Sequence, residues 1–484
     1  MDYQCQPYEK SLYDIIIVGA GPSGIFTAYK LITERPELNI LMLEKGESIR
    51  KRNCPKRKTG VCANCKNCAV LSGFAGAGAW SDGKLVLASS DVGGSFFELI
   101  GEDKLKELLH EMDDIYLKFG ATETLYGVNE KEVIDSIRKS AIKANMRLVD
   151  NPIRHLGTDG SLKVYTALED YLIKSGVTIK FNSKVSNLIV HREVTQIIDR
   201  SHVSGVVLED GTQYFAKKVI VGAGRDGSSW FKDICDEHNV EASPGVVDIG
   251  VRVECRNEIM SKLNKLYESK LIYYTKTYCD EVRTFCQNPG GEVTLENYNI
   301  KGDHIVTVNG HAYSDEDKKT DNTNFALLVT LKFTEPFKNP LEYGASYAKL
   351  ANMLAGGKAM VQTYGDIKRK RRSTPDRLRH GNVRPTLKEA EAGDLSLVLP
   401  HRIMTDLIEM IEALDKIVPG LANDETLLYG VEVKFYSNKV NISKSCETSI
   451  QNLYAVGDSS SWSHGLSIAS CMGLHVASEI LKNS

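Results

Sequence analysis

Asp14-Ile15-Ile16-Ile17-Val18-Gly19-Ala20-Gly21-Pro22-Ser23-Gly24 sets the start of the fold. The continuous β-branched run is the pattern of a strand buried on both faces of a parallel sheet. Residues 25–33 then show helical apolar spacing, and 39–43 read as a second strand ending at Glu44, 25 positions after Gly19. A Gly-x-Gly-x-x-Gly that follows a strand and opens a helix is a dinucleotide-binding signature. Gly19 permits the tight turn, Gly21 lets a pyrophosphate approach the backbone, and Gly24 lets helix and strand pack closely. Pro22 and Ser23 lie in the first helical turn, whose N–H groups and dipole favour phosphate. Glu44 can accept ribose hydroxyls and repels a 2′-phosphate, and Lys45 beside it joins the candidate binding set.

Of the 484 residues, 42 % are apolar and 25 % charged, the mixture of an ordinary globular chain with room for two or three domains. Sixty Lys and Arg against 63 Asp and Glu leave a net charge of −3, which excludes nucleic-acid binding by overall charge. Apolar runs such as 15–18 fall far short of the roughly 20 residues a membrane span needs. Residues 1–5 lack the basic-then-apolar layout of a signal peptide. A cytoplasmic protein without membrane contact is expected, so the eleven cysteines are read in a reducing compartment.

Outward from the first βαβ unit, 101–150 is charged and helix-favouring. A helix at 166–175 and strands at 177–181, 185–190, 203–208 and 218–222 follow, with a turn at Glu209-Asp210-Gly211. From about 245 to 430 short alternating strands (250–254, 325–331) mix with helices near 341–356 and 400–416. The last segment returns to strand, glycine and helix at Leu453-Tyr454-Ala455-Val456-Gly457-Asp458.

That far end separates two nucleotide readings. Gly457-Asp458, before a helix near Gly465-Leu466, resembles the second FAD motif of glutathione-reductase-like flavoproteins. The resemblance implies that Asp458 binds the ribityl chain and that the helix start faces the flavin N1/C2=O edge. Gly222-Ala223-Gly224-Arg225-Asp226-Gly227 also fits the fingerprint but follows a meander, with no regular βαβ unit after it. In the resembling family the chain here returns to the FAD domain near the adenosine pyrophosphate. Gly222 and Gly224 are therefore assigned to FAD, with no separate pyridine-nucleotide domain, and Val185 completes the candidate binding set.

Cys54, Cys62, Cys65 and Cys68 lie within 15 residues. The C-x2-C-x2-C core suits a thiolate-held cluster and differs from paired structural-zinc knuckles. Lys51, Arg52, Lys56, Arg57 and Lys58 flank it and favour deprotonated thiols. An iron–sulfur cluster of the [4Fe-4S] type is the first expectation, with zinc, or reduced cysteines in a loop, as alternatives.

Next comes Ser72-Gly73-Phe74-Ala75-Gly76-Ala77-Gly78-Ala79-Trp80-Ser81-Asp82-Gly83-Lys84-Leu85, too glycine-rich for helix or strand. It is similar to the "GAGxxSDGK" segment of a group of bacterial FAD-dependent dehydrogenases related to p-hydroxybenzoate-hydroxylase- and geranylgeranyl-reductase-like flavoproteins. Residues 247–252, Thr284-Phe285-Cys286-x-x-Pro289-Gly290-Gly291 and Gly457-Asp458 extend the likeness. It implies that Gly76, Gly78, Ser81 and Asp82 pass the flavin, with Lys84 near the ring or ribityl chain. The chain departs from that pattern at Gln287-Asn288, where a second cysteine is expected, and at His464, where the group carries glycine.

The expected architecture is α/β: a Rossmann-type FAD-binding domain, parallel sheet plus β-meander, interrupted by an inserted α+β substrate domain. Its boundaries are 1–100 with the cysteines, a helical excursion 101–150, 151–245, the insertion 246–430, and 431–484. The expected function is an FAD-dependent oxidoreductase passing hydride or electrons through flavin N5 to a small organic acceptor. Lys84, Cys286 and His464 are the catalytic candidates; Asn309-Gly310-His311 and Arg384 are candidate substrate contacts. NAD(P)H as a transient donor, or a protein electron donor feeding the cysteine cluster, would supply electrons. Two alternatives stand beside it: an RNA-modifying flavoenzyme using Lys368-Arg369-Lys370-Arg371-Arg372 through His380, and a flavin-binding assembly or regulatory protein without turnover.

Overall fold

The computed structural model describes residues 12–55, 63, 65, 67–80, 83–90, 93–194, 199–300, 303–312, 316–333, 337, 339–435 and 438–482. Cys62, Ser81 and Asp82 lie outside the described residues.

The β-branched run forms the strand Leu12–Val18 at the centre of a seven-stranded sheet. Parallel neighbours flank it on both sides: Ile40–Leu43 and then Thr178–Lys180 on one, Gln213–Val221 on the other. The strand Gln213–Val221 divides its outer edge. Its first half pairs antiparallel with Asp199–Leu208, which leads to Val185–Val194 and completes the meander. Its second half pairs parallel with Leu453–Ala455, so the far end of the chain is stitched into the first sheet. Helices Pro22–Glu34, Glu102–Lys118, Gly157–Lys174 and Leu466–Lys482 bury one face, and Ser228–Glu237 covers the other.

The second sheet has eight strands in the order Glu391–Ala392, Met360–Thr363, Leu427–Phe435, Val247–Arg256, Asn322–Leu331, Glu281–Asn288, Leu271–Tyr274, Met146–Leu148. All its pairings are antiparallel except the one between Met360–Thr363 and Glu391–Ala392. Its outer strand comes from the segment 101–150, expected to be a helical excursion. Helices Glu102–Lys118 and Lys131–Lys143 do form there, but Met146 and Leu148 are buried on either side of exposed Arg147, the alternation of a half-buried strand.

Val247–Arg256 shows how this sheet works. Val247, Ile249, Val251, Val253 and Cys255 face an apolar core closed by helices Lys131–Lys143, Pro340–Leu354 and His401–Asp415. Asp248, Gly250, Arg252 and Glu254 alternate onto the other face, which is also buried. A hairpin, Glu292–Ile300 with Asp303–His311, lies against part of that polar face, and its Gly310 packs so closely that an added Cβ would meet Asn324, Asn288 and Arg252. Two-sided burial of a strand carrying charges is costly unless every charge is met, which marks this face as built for polar partners. Among the described residues no helix is long and apolar enough to cross a membrane.

Candidate functional site

Three glycine segments converge on the start of helix Pro22–Glu34. A Cβ added at Gly222 or Gly457 would meet Ser23 Oγ at 2.9 and 2.7 Å, and one at Gly24 would lie 2.1 Å from the Gly19 carbonyl oxygen. Gly473, inside helix Leu466–Lys482, packs directly on the Ser23 carbonyl, and Thr27 Oγ1 donates to both Ser23 O and Gly473 O. The fingerprint, the post-meander glycines and the far end of the chain thus form one structure.

Around this knot the backbone leaves room. A Cβ at Gly21 would find only Gly222 O, at 4.0 Å, and one at Gly224 would find nothing within 4 Å. Their φ angles, −77° and −82°, are ordinary, so these glycines are not required by backbone strain. Open space at both suits a ligand that approaches the backbone.

Glu44 organises the walls. Its buried carboxylate accepts from Ala20 N through Oε2 and from Gly46 N and Gly73 N through Oε1, each at 2.9 Å. A carboxylate offers about four acceptor positions. Three backbone donors leave one acceptor position, on Oε2, for a further donor. Lys45 pairs with Asp226 of the second glycine cluster, and Ser72 Oγ donates to the same carboxylate at 3.1 Å. Val185 is buried at the head of its strand, opposite Leu208.

The glycine-rich segment forms a short 3-10 turn, Gly76–Trp80, and then the strand Lys84–Val86. It has more regular structure than its composition suggests. A Cβ at Gly76 would lie 3.5 Å from Gly21 Cα, and one at Gly78 would strike Leu466 Cδ2 at 2.5 Å. The turn is therefore wedged between the starts of the first and last helices. Arg52, read from sequence as a charge beside the cysteines, is buried among the carbonyls of this loop. Nothing in its spacing marks it out from Lys51 or Arg57.

At the far end Gly457 has φ +76° and Gly465 φ +109°, conformations open to glycine at little cost. Asp458 accepts from Ser463 Oγ at 3.0 Å and lies 3.7 Å from Arg225 Nε. Burial raises its pKa, with Arg225 and Ser463 opposing. His464 follows, its N–H on Gly93 O at 2.7 Å. Burial lowers its pKa to about 3 against the pull of Asp248, so the imidazole is neutral at physiological pH.

Asp248 belongs to the polar face of the inserted sheet and is one of the charges that act on His464. Asp248 pairs with Arg283 and accepts from Thr330 at 2.7 Å. Arg252 and Glu432, both fully buried, form a bidentate pair at 2.7 and 2.8 Å, and Arg252 also reaches Cys286 O and Asn309 Oδ1. Lys434 lies 3.0 Å from Glu432 and over the Phe285 ring, which Arg283 also faces. Glu296 accepts from Tyr298 and Asn309. Burial would raise its pKa, but Lys434 and Arg225 hold it below the usual carboxylate range. Arg225, from the second glycine cluster, thus influences Asp458 on one side and the hairpin on the other.

Lys84 is drawn to the inserted domain: its ammonium donates to Gln287 O at 2.9 Å, lies 3.3 Å from Glu268 and sits over the Tyr267 ring. Cys286 occupies a strand irregularity with φ +49°, its N–H on Glu268 and its carbonyl on Arg252. Asn309 joins the polar layer, whereas His311 and Arg384 are exposed. Cys54, Cys65 and Cys68 are free, and among the described residues no three metal-binding side chains gather. The basic run is engaged internally. Arg371, Arg377 and Ser373 converge on buried Asp366, and Lys368 and Arg369 reach Asp424.

Residues 247–435 match the family model described as FAD-dependent protein, C-terminal domain-like. An uncharacterized protein of Clostridium beijerinckii is 26% identical over 488 residues, covering 96% of this chain and 80% of that protein. Thiamine thiazole synthase of Coprinopsis cinerea is 46% identical over 39 residues, 8% of this chain and 12% of its own. Among solved structures, a point variant of the E. coli quinol fumarate reductase FrdA aligns over 97% of this chain and 70% of its own at 13% identity and TM-score 0.40. The glycerol-3-phosphate dehydrogenase of Bacillus halodurans complexed with FAD aligns over 98% of this chain and 65% of its own at 10% identity and TM-score 0.38.

Proposed function

We propose that this chain is an FAD-dependent oxidoreductase acting on a small organic molecule held between the nucleotide domain and the polar face of the inserted sheet. The observation that carries the reading is the meeting of both chain ends at Ser23, beside open backbone at Gly21 and Gly224. The family match of residues 247–435 to an FAD-dependent protein supports it. The residues present fit FAD. Glu44 keeps one acceptor position for the adenosine ribose, the fingerprint helix offers its first turn to the pyrophosphate, and Asp458 is the candidate for the ribityl chain. Bound there, FAD would supply the redox chemistry.

The chain's own residues then orient the partner molecule. Neutral His464 presents an imidazole where the two domains meet, and Asp248, Arg283, Lys434 and Phe285 line the sheet next to it. Because these charges are paired within the protein, the site supplies directional hydrogen bonds with little uncompensated field. Purification without air followed by titration with NADH and NADPH tests the reading. Flavin absorbance that bleaches with a donor and returns with an organic acceptor supports turnover; a flavin that never changes oxidation state refutes it.

The cysteine segment is proposed as an electron port if it holds an iron–sulfur cluster, in place of a pyridine-nucleotide domain; its support is the C-x2-C-x2-C spacing. Anaerobic reconstitution with iron and sulfide should give cluster absorption that a Cys62→Ser, Cys65→Ser double variant lacks. A protein that gains no cluster absorption and holds one tightly bound zinc refutes the port.

A further inference from the structure

Arg52 follows the turn at 48–51 and sends its side chain into the fold, where the residue is only 6% exposed. Among the described residues its guanidinium donates five hydrogen bonds to backbone carbonyls. Nε and Nη2 donate to Ala69 O at 3.0 and 2.8 Å, Nη2 to Val70 O at 3.0 Å, and Nη1 to Phe74 O at 2.6 Å and Gly76 O at 2.7 Å. The four carbonyls come from two arms of one loop, 69–70 and 74–76, and point at a common centre. Such an arrangement repels itself unless a planar, multidentate donor fills it, which arginine can do and lysine cannot.

The loop that Arg52 gathers is the one that borders the cradle. Gly73 N is held by Glu44 Oε1, Phe74 N by Glu47 O, and Ala75 N by Ala20 O of the fingerprint. Gly73 itself leaves room for the clamp, since a Cβ there would lie 2.7 Å from Arg52 Cδ. The fingerprint and Glu44 fix one side of the loop and Arg52 fixes the other.

We propose that Arg52 is a positioning residue for the cofactor: it holds loop 69–76 in the shape that receives FAD. This rests on the flavoprotein reading above. A preformed loop spares the ligand the cost of ordering it, so the effect is read in affinity.

The test compares the full-length protein with Arg52→Lys, reading FAD dissociation constant, visible circular dichroism of bound flavin, and urea midpoint. Asp366→Asn, in the inserted domain and far from the loop in sequence, serves as a control for stability loss alone. Arg52→Lys is expected to weaken FAD about tenfold or more and to alter the flavin dichroism, while Asp366→Asn lowers the midpoint without either change. Wild-type affinity and dichroism in Arg52→Lys overturn the proposal alone. A wild-type protein that takes up no FAD overturns the flavoprotein reading and this proposal with it. Should Arg52→Lys fail to fold, Arg52→Gln is read in the same way.

Discussion

Gly473→Ala should loosen the contact that joins the two ends of the chain. The glycine sits inside helix Leu466–Lys482, where alanine would ordinarily be the better helix former by about 1 kcal/mol. Here the added Cβ would lie 2.2 Å from Ser23 O and 3.0 Å from Thr27 N, both backbone atoms that no rotamer change can move. Ordinary contact begins near 3.4 Å, so the helices must part by about an ångström. That stretches the bond from Thr27 Oγ1 to Gly473 O, now 3.2 Å. Overpacking of this kind costs about 1–3 kcal/mol, from which the helix gain of about 1 kcal/mol is subtracted, for an expected net loss of up to about 2 kcal/mol. Gly160→Ala is the comparison. Its Cβ would make ordinary contact with Leu156 at 3.6 Å, and a gain of up to about 1 kcal/mol is expected there. Urea unfolding of both variants, with FAD titration of each, gives the measurement. Gly473→Ala as stable as wild type, with unchanged FAD affinity, would refute the claim that this helix contact sets the site.

Further outcomes follow from other buried groups. Arg252→Ala strands fully buried Glu432 beside Lys434 and should cost about 3–5 kcal/mol in urea unfolding, with Arg252→Lys intermediate; a loss under about 1 kcal/mol would show that Lys434 alone suffices. Burial raises the pKa of Asp406 to about 6 from its ordinary value of 3.8, with Asp280 close by. The folded state therefore favours its protonated form. That stabilising contribution is complete below about pH 4 and fades as pH rises through about 6. Asp406→Asn should thus be more stable than wild type at about pH 7.5 and gain little at about pH 4; equal gain at both pH values contradicts the assignment. Arg371→Ala with Arg377→Ala removes two partners of buried Asp366 and should lower the unfolding midpoint. If it leaves stability intact and abolishes RNA affinity instead, the basic run is a nucleic-acid surface.

The glycine knot was legible because glycine is informative where backbones must touch. Gly19 and Gly24 contact each other's segment as the spacing implies, and Gly457 arrives at Ser23 from 434 positions away. The strands at 14–18, 203–208 and 325–331 and the helix at 400–416 were legible for the same kind of reason, since apolar periodicity reports one-sided or two-sided burial. The hairpin Glu292–Ile300/Asp303–His311 was not. It was not singled out within the short alternating strands expected from 245 to 430, because the partners of its Glu and Asn residues, Arg252 and Lys434, lie on other strands. Arg52 was hidden likewise: its partners are carbonyls, which no sequence displays. Lys84 illustrates the remaining difficulty. A lysine after a glycine-rich turn suggests a ligand contact, and only the fold shows its ammonium beside Glu268 and Gln287.

Gly21→Ala separates ligand from fold most cleanly. The protein itself has space for the methyl group, with Gly222 O at 4.0 Å and a φ of −77° that alanine adopts freely. If FAD lies against this backbone, the variant should unfold at the wild-type urea concentration while its FAD affinity falls about a hundredfold or more, since the methyl occupies the closest approach of the pyrophosphate. Equal FAD affinity in Gly21→Ala and wild type, or a wild-type chain that takes up no FAD, would contradict a dinucleotide site at the junction of the two chain ends.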